Sequence, residues 1–436
     1  MRKIFIPLMT VAVVAALLLG CMPGAPVTPP PVTPPPVTPP PVTPPPVEPP
    51  PVEPVEPLKI GYSWSATGWG TMYEVAIYDI MLAYQDKVNE EGGIHGRPIE
   101  LIVYDNESTS ELAVLHAKKF IEEDEVLVII SELFSGPAWA QCEVAKGTGV
   151  PFIVMVGGPV PPEVFIPGEN IFNNHLPYDY FQDATVGYFA EDLGVTRMAI
   201  LATTDESGEE DLEYTLDSAE KFGIEVVIVE RCDPEALDVT AQLARIKAAD
   251  VEAIHLAGSG VIVGPMMKGI KLMGLDTLPV AGTPGMVSRE AFELVRGYEP
   301  ELLVMTCTPV IANVFPGVLP PDHPIVVEND EMWDVWYEAY GDTHGTREEI
   351  LFSYGFFGWD VMEIAIEGLR QAGPLPDDLA EAREAVRWAM ENKIIGLQTT
   401  SGIRNYSPTD KSGLTLLLPA LITIEDGEVV LLKLLQ

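Results

Sequence analysis

Apolar positions along the chain follow two alternating rhythms. Leu58 to Ser63 reads as a short strand, and from Met72 to Asn89 the residues Ala76, Ile77, Ile80, Met81, Tyr84 and Val88 return at helical spacing. The alternation continues with a strand at Ile99 to Tyr104, a helix at Glu111 to Glu122, a strand at Val126 to Ile130, a helix at Pro137 to Gly147 and a strand at Pro151 to Val156. A second series has strands at Thr196 to Leu201, Ile224 to Val229, Ala253 to Ala257 and Leu302 to Met305. Its helices fall near Tyr180 to Leu193, Glu209 to Phe222, Val239 to Ala248, Val261 to Met273 and Ser288 to Val295. Apolar strands alternating with amphipathic helices predict an α/β fold with parallel sheets covered on both faces, and two series predict two Rossmann-like lobes. Helices at Glu331 to Tyr340, Ile350 to Ala372 and Leu379 to Glu391 precede a strand-rich end from Leu414 to Leu435.

The first 57 residues do not follow either rhythm. Arg2 and Lys3 precede an apolar run from Ile4 to Leu19 that ends in Leu18-Leu19-Gly20-Cys21. That run is short for a membrane span of about 20 residues and has the flanks of a secretory signal. From Val27 the pentad Val-Thr-Pro-Pro-Pro repeats four times before Val-Glu-Pro units carry the chain to Pro57. Proline fixes φ and removes donors, so this segment is expected to be a stiff polyproline II stalk on the order of 100 Å long. The roughly 380 residues that follow exceed the size at which single cores stop growing, which again favours two domains.

Charge and cysteine content narrow the function. The chain has 65 acidic and 25 basic residues, a net charge of −40, which excludes a nucleic-acid partner. Four cysteines, Cys21, Cys142, Cys232 and Cys307, are too few for a disulfide scaffold, and the last three are expected to be free thiols. The six histidines include no pair within a helical turn, so metal-ligand spacing is absent. His255, inside an apolar strand, reads as a core residue.

In open α/β sheets ligands collect at the carboxyl ends of strands. The loops there, Ser63 to Thr71, Ser131 to Pro137, Val156 to Pro161, Thr203 to Gly208, Gly258 to Gly264 and Gly282 to Ser288, contain no Lys or Arg. A ligand with several anionic groups would lack a partner. Gly68-Trp69-Gly70-Thr71-Met72-Tyr73 resembles a dinucleotide fingerprint until Tyr73 replaces its third glycine, and Gly61-Tyr62-Ser63-Trp64-Ser65 lacks the closing glycine of a nucleophile elbow. Neither a cofactor nor a catalytic residue is expected. Ser135 before Pro137 suits an N-cap whose hydroxyl and neighbouring amides would receive a carboxylate, and a purely structural cap fits the segment equally well. Val156-Gly157-Gly158-Pro159 exposes backbone, as a ligand contact or a plain turn. Trp64, Trp69 and Phe134 offer flat apolar surface to a ring or an ammonium group.

The order of these pieces resembles the branched-chain amino-acid type of periplasmic binding protein, the type I solute-binding components of ABC importers. The resemblance rests on Leu58-Lys59-Ile60-Gly61, on Asn89-Glu90-Glu91-Gly92-Gly93-Ile94-His95-Gly96-Arg97-Pro98-Ile99-Glu100-Leu101, on Gly149-Val150-Pro151-Phe152-Ile153, on Asp238-Val239-Thr240-Ala241-Gln242-Leu243 and on Ser353-Tyr354-Gly355. Leu18-Leu19-Gly20-Cys21 likewise resembles a lipobox, which implies residues 1–20 as signal peptide, a lipid on Cys21 and residues 21–57 as anchored stalk. The family resemblance implies two lobes joined by three crossovers, lobe one at 58–176 plus 311–412 and lobe two at 177–310 plus 413–436. It implies Ser135 for a ligand carboxylate, Val156 and Gly158 for backbone contacts, and the Gly258-Ser259-Gly260 turn from the far lobe. Gly158, Ser207 in Asp205-Glu206-Ser207-Gly208, and Ser259 stand where amino-acid binders often have Thr or Ser, Tyr and Tyr, which leaves that clamp incomplete. Trp64, Trp69, Phe134, Ser135, Val156, Gly158, Asp205, Ser207, Ser259 and Gly260 are therefore the expected contacts. The expected ligand is a small amino-acid-like or aromatic monocarboxylate, and the expected partners are an importer permease and the membrane that holds the lipid, with the protein a monomer outside the cytoplasm. A sensory ectodomain working with a membrane partner would use the same fold, and an enzyme is disfavoured.

Overall fold

A computed structural model describes residues 55–155, 169–174, 178–282, 286–287, 289–307, 319–341, 354–415, 420–425 and 428–435. The expected leader, Cys21, the stalk as far as Pro54, Val156 and Gly158 lie outside the described residues, as do the crossings expected at 176–177 and 310–311.

Five parallel strands form the first sheet: β1 (Leu58–Trp64), β2 (Ile99–Asp105), β3 (Val128–Ile130), β4 (Phe152–Val154) and β5 (Ile171–Asn173), in the order β2-β1-β3-β4-β5. β1 is nearly all buried, as a strand covered on both faces must be. Helices α1 (Thr71–Glu90), α2 (Ser110–Glu122) and α3 (Ser135–Ala145) connect these strands.

The second sheet has seven strands. β6 (Arg197–Thr203), β7 (Glu225–Cys232), β8 (Ala253–Ala257), β9 (Val280–Gly282) and β10 (Leu303–Cys307) run parallel, while β13 (Ala420–Glu425) and β14 (Glu428–Leu434) close one edge antiparallel. The order is β14-β13-β10-β9-β8-β6-β7, so this sheet is mixed rather than wholly parallel. Its helices are α4 (Tyr178–Gly187), which runs on as a π-helical turn over Tyr188–Asp192, α5 (Glu206–Phe222), α6 (Thr240–Ala248), α7 (Val263–Leu272) and α8 (Arg289–Val295).

The chain then returns to the first sheet. α9 (Pro324–Tyr340), α10 (Gly355–Ala372) and α11 (Leu379–Lys393) share one core with α1 and β1, in which Trp359 and Met362 are fully buried. α9 starts seven residues earlier than its periodicity suggests. His323 Nδ1 accepts the Ile325 N–H at 3.3 Å and Pro324 takes the first helical position, where a missing donor costs nothing. A hairpin of β11 (Ile395–Thr399) and β12 (Gly402–Asn405) follows. Separate apolar clusters fill the space around the second sheet. Cys142 and Cys232 are free, as expected, and both are buried, whereas the Cys307 side chain lies outside the described residues. Among the described residues no helix is long and apolar enough to cross a membrane, and no group of three metal-ligating side chains occurs.

Candidate functional site

Both sheets reverse their strand order at one place, where loops from neighbouring strands diverge and leave a crevice. In the first sheet that place lies between β1 and β3, and in the second between β6 and β8. The loops after those four strands carry Trp69, Phe134 and Ser135 on one side, and Asp205, Ser207, Ser259 and Gly260 on the other.

The first half of this junction is aromatic. Trp69 packs on Phe134 with centroids 4.3 Å apart at 60°, and Tyr73, in the first turn of α1, meets Phe134 and Tyr354 edge-on at 5.8 and 4.9 Å. Gly70 permits this approach, since a Cβ there would lie 2.4 Å from the Phe134 ring. Trp64 is placed differently, stacked on Tyr78 of α1 at 4.3 Å.

Three approaches join the two halves. The Gly260 N–H donates to the Tyr73 hydroxyl at 2.9 Å, from a turn with φ at +88°, and a Cβ at Gly260 would lie 3.8 Å from the Trp69 ring. Ser135 Oγ donates to Glu210 Oε2 at 2.7 Å, and Trp139 Nε1 donates to Glu210 Oε1 at 3.3 Å. Gly136 lets α5 come close, because a Cβ there would stand 2.8 Å from Glu206 Oε2. Ser135 therefore departs from its expected role as a cap. Phe134 is the extended residue before the helix, Ser135 is the first helical residue, and its hydroxyl is directed to α5 instead of to its own helix. Asp205 and Ser207 lie at the start of α5, Asp205 with a buried Oδ1 that has no partner among the described residues, while Ser259 is half-buried in the turn that ends at Gly260.

The acidic groups here are poorly solvated. Burial pushes the Glu210 carboxyl up to about 7; the bonds from Ser135 and Trp139 oppose this, and the charges of Glu206 and Asp205 reinforce it. Beneath the aromatic surface Glu132 accepts from Ser65 Oγ at 2.8 Å and Asn106 Nδ2 at 2.6 Å, while its buried Oε1 has no partner among the described residues. Glu74 accepts from the Leu133 N–H at 2.7 Å and from the Tyr62 hydroxyl. Burial raises both carboxyls, Glu74 to about 7, and the charge of Glu74 raises Glu132 further.

In the second half Asp211 holds the 258–260 turn by accepting the Gly258 N–H, and it also accepts from Gln182 and lies 3.6 Å from His255. His255 is buried as expected, but among the described residues only its Nε2 has a hydrogen-bond partner, Thr215 at 3.1 Å. Glu210, Tyr73 and Tyr354 were absent from the expected set. The spacing of Glu206 and Glu210, four residues apart, becomes a signal only because α5 begins at Glu206 and not at Glu209 as expected, which puts both on one face.

Comparison with known proteins agrees with this fold. The family model described as periplasmic binding protein matches residues 57–411. A leucine-, isoleucine-, valine-, threonine- and alanine-binding protein of Pseudomonas aeruginosa is 21% identical over 326 residues, which is 74% of this chain and 81% of that protein. Among solved structures, an extracellular ligand-binding receptor from Rhodopseudomonas palustris aligns with a TM-score of 0.76 and 20% identity over 87% of this chain and 100% of its own. An ABC transporter solute-binding protein of R. palustris in complex with benzoate aligns at 0.69 with 19% identity over 87% of this chain and 96% of its own.

Proposed function

The chain belongs to the periplasmic binding protein family, of the type I branched-chain amino-acid kind, and we propose that this member is a lipid-anchored, extracytoplasmic protein that captures a small amino-acid-like or aromatic monocarboxylate. In this reading Cys21 carries the lipid and residues 21–57 form the stalk. Residues 58–176 plus 311–412 make one lobe, 177–310 plus 413–436 make the other, and the closed form delivers its ligand, chemically unchanged, to an ABC importer permease.

The observation that carries the reading is the meeting of the two strand-order reversals, where Tyr73 and Trp69, with Phe134 packed on both, approach Gly260 beside the other sheet. A planar or branched apolar group suits those rings. The loops contain no Lys or Arg, so one carboxylate must be held by Ser135 and helix amides, and a second would have no counter-charge. A ligand ammonium has Asp205 and Glu206 at the start of α5, whereas Glu132, named for that role in the sequence, is buried beneath the rings with its carboxyl raised. The relative that binds branched amino acids and the solved benzoate complex support the two ligand classes.

Calorimetry across amino acids, aromatic acids, sugars and dicarboxylates tests this. A monocarboxylate is expected to bind, and Ser135→Ala is expected to lose a charge-assisted hydrogen bond of roughly 1.5 to 3 kcal/mol, or about ten- to a hundredfold in affinity. Trp69→Ala is expected to weaken the same ligand. Tight binding of a dicarboxylate or phosphorylated compound that is indifferent to Ser135→Ala would reject both ligand class and site.

A further inference from the structure

Glu210 lies on α5 beside the second sheet, yet its carboxylate is bonded to two donors of α3 beside the first. Ser135 Oγ reaches Oε2 at 2.7 Å and Trp139 Nε1 reaches Oε1 at 3.3 Å, so both oxygens face the opposite side of the junction. A carboxylate that meets the first turn of a helix through a serine hydroxyl is in the arrangement proposed above for the ligand.

On that reading of Ser135, we propose that Glu210 is an internal carboxylate that determines selectivity: it holds Ser135 in competition with the ligand's carboxylate, and an anion enters only when Glu210 releases the hydroxyl or has lost its charge. The competition has two physical parts. Two acceptors cannot share the single Ser135 proton. Two carboxylates brought together in a poorly solvated site also repel unless one is protonated.

The surroundings set the pH at which this matters. From α3 the groups facing Glu210 are the neutral Ser135 and Trp139, and from the start of α5 they are Asp205 and Glu206, both acidic, with the Tyr214 phenol one turn further on. The nearby Arg231 is committed to Glu209, with bonds to both of its oxygens. Burial first, then those two acidic neighbours, raises the Glu210 carboxyl to about 7. Below that pH Glu210 is neutral and a weak competitor. Above it the charged form holds Ser135, and affinity for an anion falls by up to about tenfold per pH unit, the limit for one linked proton.

Acetate serves as the probe because it has the carboxylate and nothing else. The full chain, labelled with 15N at its tryptophan indoles, is titrated from pH 5.5 to 8.5 with and without acetate, and the Trp139 indole signal is assigned with Trp139→Phe. In the wild type this signal is expected to titrate with a midpoint near 7, and in Glu210→Gln the titration is expected to vanish. At pH 8 acetate should perturb the signal at concentrations at least about tenfold lower in Glu210→Gln than in the wild type, and at pH 5.5 the two should differ by less than about threefold. An indole signal that titrates in both proteins, or acetate affinities with the same pH dependence in both, would overturn the inference; acetate without effect on either protein would also overturn it. Failure of every amino acid and aromatic acid in calorimetry, with the acetate result intact, would instead overturn the proposed ligand class alone.

Discussion

A carboxylate loses solvation when it is buried and loses more when it is buried beside another, and Glu74 and Glu132 do both. Glu74 is raised to about 7 from 4.5, so between those values the folded protein keeps a proton that the unfolded chain has released. The penalty is small below about pH 4.5, grows as the pH rises and is complete above about 7. Glu328, which accepts from Trp359 Nε1 at 2.7 Å, acts in the same direction with a carboxyl raised to about 8. Stability is therefore expected to fall as the pH rises from 5 to 8.5. Glu74→Gln should remove its share, because an amide can accept from Leu133 and donate to the Tyr62 oxygen while remaining neutral. Urea unfolding at the two pH values should show the wild type losing about 2 to 3 kcal/mol more than Glu74→Gln. Equal losses in the two proteins would mean that Glu74 ionises freely in the fold.

Between elements, a few buried side chains do the joining that strand ladders do inside a sheet. Asp360 of α10 is fully buried and accepts from the Thr400 N–H at 2.8 Å, from Thr400 Oγ1 at 2.6 Å and from the Ser401 N–H at 3.2 Å, which fixes the β11–β12 turn to the helix. Asp360→Ala leaves two buried backbone donors and a hydroxyl unmet and should cost about 3 kcal/mol or more in urea unfolding. A loss below about 1 kcal/mol would show that the hairpin is held by something else. Nothing in the sequence pattern marked this hairpin. β11 is largely exposed and begins with Ile395 and Gly396, so it has no apolar alternation to read. β5 and β9 escaped for a different reason: their three buried residues stand between Asn170 and Asn174 and after Pro279, whereas β3 and β4, equally short, lie within the longer apolar runs Val126 to Ile130 and Pro151 to Val156. The long helices and the doubly covered strands were legible because each buries a continuous face, as in β8, where the expected and observed limits coincide at Ala253–Ala257.

At the scale of the whole molecule, the fold class was legible in the alternation itself, and the positions of the site loops follow from it, since strand order decides which loops diverge. The partnerships across the junction were not legible. Ser135 looked like a cap because Pro137 follows it, but the helix begins at Ser135 and Glu210 takes the hydroxyl, a contact between residues 75 positions apart. Local spacing contains no information about such a pair. Tyr73 was visible only as the residue that breaks a dinucleotide fingerprint, and its hydroxyl turns out to accept the Gly260 N–H from the other sheet.

What the protein retains when taken from its own host tests the proposed function most directly. Native mass spectrometry of the full chain, purified without denaturation, should show the protein carrying one small molecule that dissociates on activation and has the mass and fragmentation of a monocarboxylic acid bearing an amine or an aromatic ring. A retained sugar, dicarboxylate or phosphorylated compound would contradict it.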